Sequence, residues 1–387
     1  MKFKFGYAKC GFKKTGNLDL ALIYSDTPCT YAGVFTDNKV RAFCVDENKS
    51  SLKKKNKIKL IVVNAGNANA CTGKAGVLAV KKTKKLAAHY CNIRENEILV
   101  SSTGVIGIPL DLNKMEHGLK EASRNLSVKN FKYANEAILT TDSYKKIFIK
   151  KTQDFSLLAF AKGAGMIHPN MATMLCYILT DLQISQSLLQ STLKEVVDQT
   201  FNIISVDGDK STNDMVILLS ENSTKKEVKS KNDPIFKDFK KELLHCCMSL
   251  ARDIVMDGEG ATKIFNVTIK NARSEKDAKK IARYLTTSNL FKCAIFGSDP
   301  NWGRAMARIG DSGVNIDQNK ITLVLNKICV FKKGTPVSFD KNKLAKDIKK
   351  QKEVFVTVDL NLGKSIAIAL GSDLGYEYVK CNSEYFS

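Results

Sequence analysis

A loop built around two glycines and a proline, which runs directly into an apolar segment, dominates this sequence. It reads KGAGMIHPNMATML and spans residues 162–175. Glycine permits backbone angles that other residues avoid, and proline cannot extend a regular hydrogen-bond ladder, so the loop must follow a tight, irregular path. The segment Met174–Leu179 has the continuous apolar character of a buried strand. The pattern therefore places the hydroxyl of Thr173 where a constrained loop enters a rigid element.

The position of Thr173 raises the question of how its hydroxyl would be activated. Threonine is a weak nucleophile at neutral pH, and one route to activation is to free its own α-amine so that the amine serves as the base. That route requires the peptide bond between Ala172 and Thr173 to break. By spacing alone, an ordinary loop before a threonine-led strand is the favoured interpretation, because such loops occur in many folds.

The length of the chain indicates its domain organisation, and its charge raises the question of nucleic-acid binding. The chain has 387 residues, of which 44% are hydrophobic, and this favours two sub-domains or two halves that share a sheet. A formal charge of +22 makes a basic nucleic-acid-binding protein an alternative. The lysines are, however, spread in small groups without interleaved aromatic residues, which indicates a solvated surface. We therefore expect no nucleic-acid partner.

The cysteines and the apolar runs indicate the cellular compartment of the protein and whether it binds a metal or a membrane. Eleven cysteines without a C-x-x-C pair argue against a disulfide framework or a zinc site and for reduced thiols. No apolar run approaches the roughly 20 residues of a membrane helix, and the N-terminus lacks the apolar core of a signal peptide. We expect a cytoplasmic protein with no membrane partner and no metal.

The loop at residues 162–175 resembles the signature of the bifunctional glutamate N-acetyltransferase/ornithine acetyltransferase family of arginine biosynthesis. Further similar stretches are GYAKCGFKKTGNLDLALIYSD from residue 6, GEGATK from residue 258 and GSDPNWGR from residue 297. The resemblance implies an α/β fold, a sandwich of strands and helices that cuts itself before Thr173. Residues 1–172 would form an alpha chain and residues 173–387 a beta chain beginning with the nucleophile, and the chains would remain associated, as a heterotetramer of two of each.

The resemblance also implies which residues form the alpha-chain side of the site. Thr103 and Gly104, at the end of a predicted strand, correspond to the family's oxyanion pair, and acyl transfer needs such donors because negative charge develops on the carbonyl oxygen. A Thr-Thr-Asp segment offers either Thr140 or Thr141 as a substrate contact. Lys162 would lower the pKa of the Thr173 amine, hold a substrate carboxylate, or do both.

The remaining implied residues follow the cleavage point. Glu259, exposed between two glycines, would pair with the α-amine of an amino-acid substrate. Asn382 and Ser387 match C-terminal residues that bind substrate in the family. His168 lies in the loop, and we interpret it as a structural residue. The segment 205–214 does not follow the calcium-loop pattern and is interpreted as a structural loop packed near the site.

The implied reaction is ping-pong acetyl transfer without a cofactor. Thr173 would take the acetyl group of N2-acetyl-L-ornithine, ornithine would leave, and glutamate would then receive the acetyl group, with the Thr173 amine as base and acid. Some family members also accept acetyl-CoA as donor, and the sequence is compatible with either behaviour. An alternative within self-processing enzymes is an aminopeptidase or amidase, in which water resolves the acyl-enzyme.

Local patterns predict the following elements, which the structure tests below. Helices are expected over residues 74–90, 112–124, 185–201 with Ser185 as the cap, 232–256 and 275–286. Strands are expected over residues 58–63, 98–107, 155–161, 263–270, 292–296, 321–325, 355–358 and 366–370, and a loop over 297–304.

Overall fold

The computed structural model of the protein describes residues 1–168, 174–224 and 226–384. Strands and helices alternate along these ranges, with eight strands in one sheet and seven in another. The strands are β1 (Lys4–Ala8), β2 (Leu20–Phe35), β3 (Ile58–Asn67), β4 (Ile98–Val105), β5 (Lys146–Lys151), β6 (Ser156–Lys162), β7 (Leu175–Thr180), β8 (Gln183–Ile184), β9 (Ile204–Ser205), β10 (Met215–Ser220), β11 (Glu227–Val228), β12 (Ile264–Ala272), β13 (Thr322–Leu325), β14 (Ile328–Lys332), β15 (Thr335–Pro336), β16 (Glu353–Asp359) and β17 (Ser365–Ser372).

The helices of the described ranges cover the faces of these sheets. They are α1 (Phe43–Lys53), α2 (Gly73–Cys91), α3 (Leu112–Arg124), α4 (Phe131–Ile138), α5 (Gln186–Gln199), α6 (Pro234–Met256), α7 (Glu275–Thr286), α8 (Asn289–Phe296), α9 (Trp302–Gly310), α10 (Lys341–Lys350) and α11 (Tyr376–Glu384). Single 3₁₀ turns occur at Glu95–Glu97, Val128–Asn130, Phe201–Ile203 and Gln318–Lys320. In these ranges, no helix combines the length and apolar character that a bilayer crossing needs.

The first sheet has the order β4-β3-β2-β10-β7-β6-β5, and β1 also pairs with β2. Strand β2 is 16 residues long, so its first half pairs with β1 and β3 while its second half pairs with β10. Strands β7 and β10 follow the predicted cleavage point in the chain, yet they lie between β2 and β6, which precede it. The segments before and after this point therefore contribute strands to one sheet.

Strand β7 is buried on both faces, which explains its continuous apolar run. Leu175 and Tyr177 pack into one core with α2, α3 and α4, whereas Cys176 and Ile178 pack into a second core with α5 and α6. Successive side chains of a strand point to opposite faces, so a strand between two helical layers must be apolar at every position. The neighbouring strand β10 alternates between the same two cores.

The second sheet has the order β15-β14-β13-β16-β12-β17-β9 and supports a third core with α7, α8, α9 and α10. Helix α6 packs against β5 and β6 of the first sheet and against β17 of the second. The short strands β8 and β11 form a separate parallel pair. The architecture is a layered α/β sandwich, which confirms the predicted fold class.

Most of the predicted elements are present, but the strand predicted at residues 292–296 is wrong. This segment belongs to α8, which begins after Ser288, whose hydroxyl accepts the N–H of Phe291. The buried positions Phe291, Ala294 and Ile295 follow helical spacing. A five-residue apolar run has no period long enough to separate the two structures. The predicted loop at 297–304 is also too long, because α9 begins at Trp302.

Candidate active site

A cavity of about 160 Å³ gathers most of the residues predicted for the site. Sites for drug-sized ligands occupy roughly 300–1,000 Å³, so this cavity suits a small metabolite. The predicted residues that line it are Thr103, Gly104, Thr140, Thr141, Lys162, Glu259 and Asn382. Ala68, from the small-residue loop after β3, and Met166 also line it. The predicted Ala172, Thr173 and Ser387 lie outside the described residues.

The Thr103-Gly104 turn is held by close contact between neighbouring strand ends. Strand β4 runs parallel to β3, and their register shifts at Gly66 and Asn67. Gly104 has a φ of +131°, and a Cβ on it would lie 2.3 Å from the carbonyl carbon of Gly66. Only glycine combines that backbone angle with that approach. Thr103 lines the cavity and is only 7% exposed, so little solvent reaches it.

Lys162 ends β6 and is a buried cation at the cavity. Its side chain is 3% exposed, and β6 pairs it with Leu175 of β7. Burial lowers the pKa of Lys162, and Lys146 adds to this effect, whereas Asp142, Asp214 and Glu259 oppose it. A lysine with a lowered pKa gives up its proton more readily than a solvent-exposed lysine does.

Glu259 lines the same cavity as Lys162. Asn382 of α11 donates its side-chain N–H to Glu259 Oε2 at 2.9 Å, and the backbone N–H of Glu259 donates to Ala164 O at 3.0 Å. A Cβ on Gly165 would lie 2.3 Å from the Glu259 carboxyl carbon, so a side chain at residue 165 would force the Glu259 carboxylate to move. The GEGATK turn, the glycine loop and the C-terminal helix therefore meet at one carboxylate.

A buried ion network, which the sequence did not predict, supports the cavity from behind. Lys146 Nζ lies 2.7 Å from Asp142 Oδ1 and 2.5 Å from Asp257 Oδ2, and its side chain is fully buried. Asp142 also accepts the N–H of Gly163 at 2.6 Å and of Thr140 at 3.1 Å. Burial tends to raise the pKa of Asp142, but its cationic and N–H partners outweigh burial and leave that pKa below its usual value.

This ion network, defined as Asp142, Lys146 and Asp257, connects three cavity segments. Asp142 fixes the backbone at Thr140 and next to Lys162, and Asp257 lies two residues before Glu259. In the sequence, the feature that came nearest to indicating this ion network was the aspartate of the Thr-Thr-Asp segment. No local pattern relates Lys146 to an aspartate 111 residues later.

His168 is held by hydrogen bonds to side chains from two other segments, as expected of a structural residue. Its Nδ1 lies 3.1 Å from Ser205 Oγ, and its Nε2 lies 2.9 Å from a guanidinium nitrogen of Arg283. Burial, assisted by Arg283 and Lys210, lowers the pKa of His168 to about 4. The imidazole is therefore neutral at neutral pH and accepts from Arg283.

The segment 205–214 contributes more to the site than a packed loop. Ser211, Thr212 and Asn213 line the cavity. The Asn213 side-chain amide donates to Ala68 O at 2.7 Å and to Ser102 O at 2.8 Å, which joins this segment to the walls formed by β3 and β4. In the described ranges, no three His, Cys, Asp or Glu side chains cluster as metal ligands do.

Comparison with known proteins identifies relatives along the whole chain. The ArgJ family model matches residues 4–387. The arginine biosynthesis bifunctional protein ArgJ of Caldanaerobacter subterraneus subsp. tengcongensis is 42% identical over 380 residues, which cover 96% of this chain and 94% of that protein. ArgJ 1 of Clostridium acetobutylicum is 42% identical over 385 residues, covering 97% and 94%.

Among solved structures, the arginine biosynthesis bifunctional protein ArgJ from Bacillus halodurans superposes with a TM-score of 0.53 at 36% identity. The match covers 54% of this chain and 98% of that chain. The fold and these relatives define the class of protein as an acyltransferase. The chain belongs to the ArgJ family, the bifunctional glutamate N-acetyltransferase/ornithine acetyltransferase family of arginine biosynthesis.

Proposed function

We propose that this enzyme transfers the acetyl group of N2-acetyl-L-ornithine to L-glutamate through an acetyl ester on Thr173. In the first half-reaction, the Thr173 hydroxyl attacks the acetyl carbon, ornithine leaves, and the amine of Thr173 carries the proton to the leaving nitrogen. In the second, the glutamate amine attacks the ester and regenerates the hydroxyl. No cofactor enters either half-reaction.

One observation carries this proposal, namely that a single small cavity collects the oxyanion turn, the buried Lys162 and the Glu259 carboxylate. Both amino-acid substrates carry a carboxylate and a nitrogen, so a site for them needs one cationic and one anionic group. Lys162 would bind a substrate carboxylate or lower the pKa of the Thr173 amine. Glu259 would pair with an amino group when Asn382 releases it.

The Thr103 hydroxyl and the Gly104 N–H would hold the carbonyl oxygen as negative charge develops on it. The backbone of Gly104 has a positive φ angle that neighbouring atoms enforce. Its N–H is therefore already oriented before the reaction, so no reorganisation is needed. Thr140 and Thr141 line the same cavity, and either hydroxyl can contact the substrate. Asp142 fixes this segment through the N–H of Thr140.

We propose further that the chain cuts itself between Ala172 and Thr173 into residues 1–172 and 173–387. The shared first sheet supports lasting association of the two parts, because β7 and β10 are buried between strands of the other part. The solved ArgJ chain from Bacillus halodurans, matched over 98% of its length, corresponds to 54% of this chain. A chain of about half length is what a cleaved protein supplies.

Pairing of two such heterodimers is supported by an apolar patch on the outer face of the second sheet. Phe355 on β16 and Ile366 and Ile368 on β17 are 46%, 56% and 45% exposed. Their register through β12 places them on the same face. Native mass spectrometry should give about twice the mass of the 42.8 kDa chain.

We propose a cytoplasmic location and no nucleic-acid or membrane partner. All eleven cysteines are free thiols, which suits a reducing compartment. Several lysines form ion pairs with surface carboxylates, such as Lys240 with Glu195 and Lys279 with Asp198, as expected of a solvated surface.

The first experiment is the intact mass of the wild type and of Thr173→Ala under denaturing conditions. We expect two fragments from the wild type, the second beginning at Thr173, and one uncut chain from the variant. An uncut wild type would overturn the self-activating threonine and the mechanism built on it.

An acetyl-transfer assay then separates the remaining functions. With acetylornithine as donor, ornithine release that depends on glutamate supports the transferase. Equal release without glutamate would identify an amidase instead. Replacement of acetylornithine by acetyl-CoA tests whether the enzyme also makes N-acetylglutamate from acetyl-CoA.

A further inference from the structure

A second cavity lies beside the candidate active site. Its volume is about 430 Å³, and Thr140 lines both this cavity and the smaller one. Two other segments border both of them. Gly104 lines the smaller cavity and Val105 the larger one, and in α11 the same holds for Asn382 and Glu384. The larger cavity, here called the side cavity, therefore adjoins the active site.

The side cavity contains a cation that is held in place by the backbone. Lys13 lines this cavity, and its Nζ donates to Leu18 O at 2.6 Å and to Ala137 O at 2.9 Å. Both acceptors are uncharged carbonyls, and no carboxylate of the described residues forms an ion pair with Lys13. An ammonium has three N–H donors, so these two bonds leave one N–H for a ligand.

Lys13 stays charged at neutral pH although it is half-buried. Burial lowers the pKa of Lys13 to about 8, and Lys162 adds to this effect, whereas Asp19, Asp142 and Glu136 oppose it. The ammonium is therefore mostly protonated at neutral pH. Because a charge that is partly removed from water gains more from a counter-ion than an exposed charge does, this site favours an anionic ligand.

Thr140 connects this cation to the one in the smaller cavity. Lys162 and Thr140 line the smaller cavity, and Lys13 and Thr140 line the side cavity. The carbonyl of Ala137, which accepts from Lys13, lies three residues before Thr140. The effect of Lys162 on the pKa of Lys13 also indicates that the two ammonium groups are close enough to interact. Each cavity thus has one ammonium, and Thr140 lies where the cavities meet.

We propose that Lys13 binds the side-chain carboxylate of L-glutamate when glutamate accepts the acetyl group. This inference rests on the proposed function. Glutamate carries two carboxylates joined through three carbon atoms, so its recognition over an uncharged analogue needs a second cation besides Lys162. Lys162 holds the α-carboxylate, and Lys13 supplies the second cation. Lys13 is thereby a specificity-determining residue for the acceptor.

The side cavity also has acidic lining residues, which matter for the donor. The chain of ornithine ends in an ammonium, which Lys13 repels. Asp111 is engaged as the cap of α3, because its Oδ1 accepts the N–H groups of Asn113 at 2.9 Å and Lys114 at 3.1 Å. Glu384 is exposed on α11 and offers a carboxylate to the ornithine ammonium. The side cavity can therefore take up a chain of either charge.

The experiment compares glutamate with glutamine as the acceptor in the wild type and in Lys13→Met. Glutamine has nearly the same shape but an uncharged side chain, so the ratio of the two kcat/KM values isolates recognition of the charge. We expect the wild type to favour glutamate by about tenfold or more, as a hydrogen bond between charged groups provides. Lys13→Met should lose this preference through a higher KM for glutamate. A general loss of stability would lower both values and leave their ratio unchanged.

The matched control is Lys49→Met. Lys49 is also half-buried, its Nζ donates to Thr36 O at 3.1 Å, and burial lowers its pKa, but it lines neither cavity. Lys49→Met should keep the wild-type preference for glutamate. Loss of the preference in this control as well would overturn the assignment to Lys13.

The outcomes separate this inference from the proposed function. A wild type that transfers no acetyl group from acetylornithine to glutamate would end the proposed function itself. Transfer to glutamate together with a Lys13→Met variant that keeps the wild-type preference would overturn only the role of Lys13. Lys13→Gln, which keeps N–H donors for the two carbonyls, replaces Lys13→Met if that variant does not fold. A wild type that accepts glutamine as well as glutamate would overturn the proposal without any variant.

Discussion

The buried Lys146 should contribute far more to stability than its exposed neighbour. Its ammonium is the shared partner of Asp142 and Asp257, and all three side chains are 3% exposed or less. Lys146→Met removes the cation that these two buried carboxylates share. Breaking a buried pair in this way typically costs about 3–5 kcal/mol, because the remaining charge stays desolvated.

The matched control is Lys145→Met. Lys145 lies 2.9 Å from Glu136, but these side chains are 36% and 46% exposed, and exposed pairs contribute only about 0–1 kcal/mol. We would measure denaturant unfolding in a Thr173→Ala background, so that each protein unfolds as a single chain. Equal free energies of unfolding for the two variants would refute the assignment of a buried, interdependent network.

The decrease in the free energy of unfolding caused by Lys146→Met should also depend on pH. In the wild type, the pKa of Asp142 is lowered, so the stability that its charge contributes is present above the unfolded pKa and is lost as pH falls through the folded one. In the variant, the buried carboxylates gain protons more easily. The difference between the two proteins should therefore be largest near neutral pH and shrink towards acid. A pH-independent difference would contradict this reasoning.

Three further predictions concern the cavity and the loop. Gly104→Ala should lower acetyl transfer by about 10²-fold or more, since a Cβ there meets Gly66 and displaces an oxyanion donor, and near-wild-type turnover in a folded variant would refute that role. Glu259→Gln should raise the KM for the amino-acid substrates by roughly tenfold or more, because hydrogen bonds to charged groups contribute about 1.5–3 kcal/mol; a change confined to kcat would count against substrate binding. The pKa of His168 is about 4, below the unfolded value of about 6.5, so the unfolded chain binds the extra proton between them and stability falls as pH drops through this range. His168→Gln should remove that part of the slope in thermal melts, and an unchanged slope would exclude His168 as its source.

Local chemistry made much of the fold predictable. The helices α3 and α7 were predicted at their observed bounds, and the hydroxyl of Ser185 accepts the N–H of Leu188 as the predicted cap of α5. These features depend on periodicity and capping over a few residues, which a single sequence displays directly. The prediction of a strand in the α8 segment failed because a short apolar run contains too few turns to reveal its period.

The residues of the candidate site could also be predicted only in part from the sequence. Glycine-bearing motifs and the family resemblance indicated Thr103, Gly104, Lys162, Glu259 and Asn382 from the sequence, and the tertiary structure brings them to one cavity. The motifs could be found in the sequence, but the contacts of Gly104 with Gly66 and of Glu259 with Asn382 join segments that are distant in the chain.

Only the tertiary structure decided which distant charges support that cavity. The pairing of Lys146 with Asp257 arises where α6 packs against β5, and the anchoring of Met174 by Asp214 arises where β7 pairs with β10. In the sequence, these side chains are a few among 61 cationic and 39 anionic residues. Burial and distance give a charge its large energetic effect, and both are properties of the folded chain, so the sequence by itself determined the motifs and only the fold determined their electrostatic support.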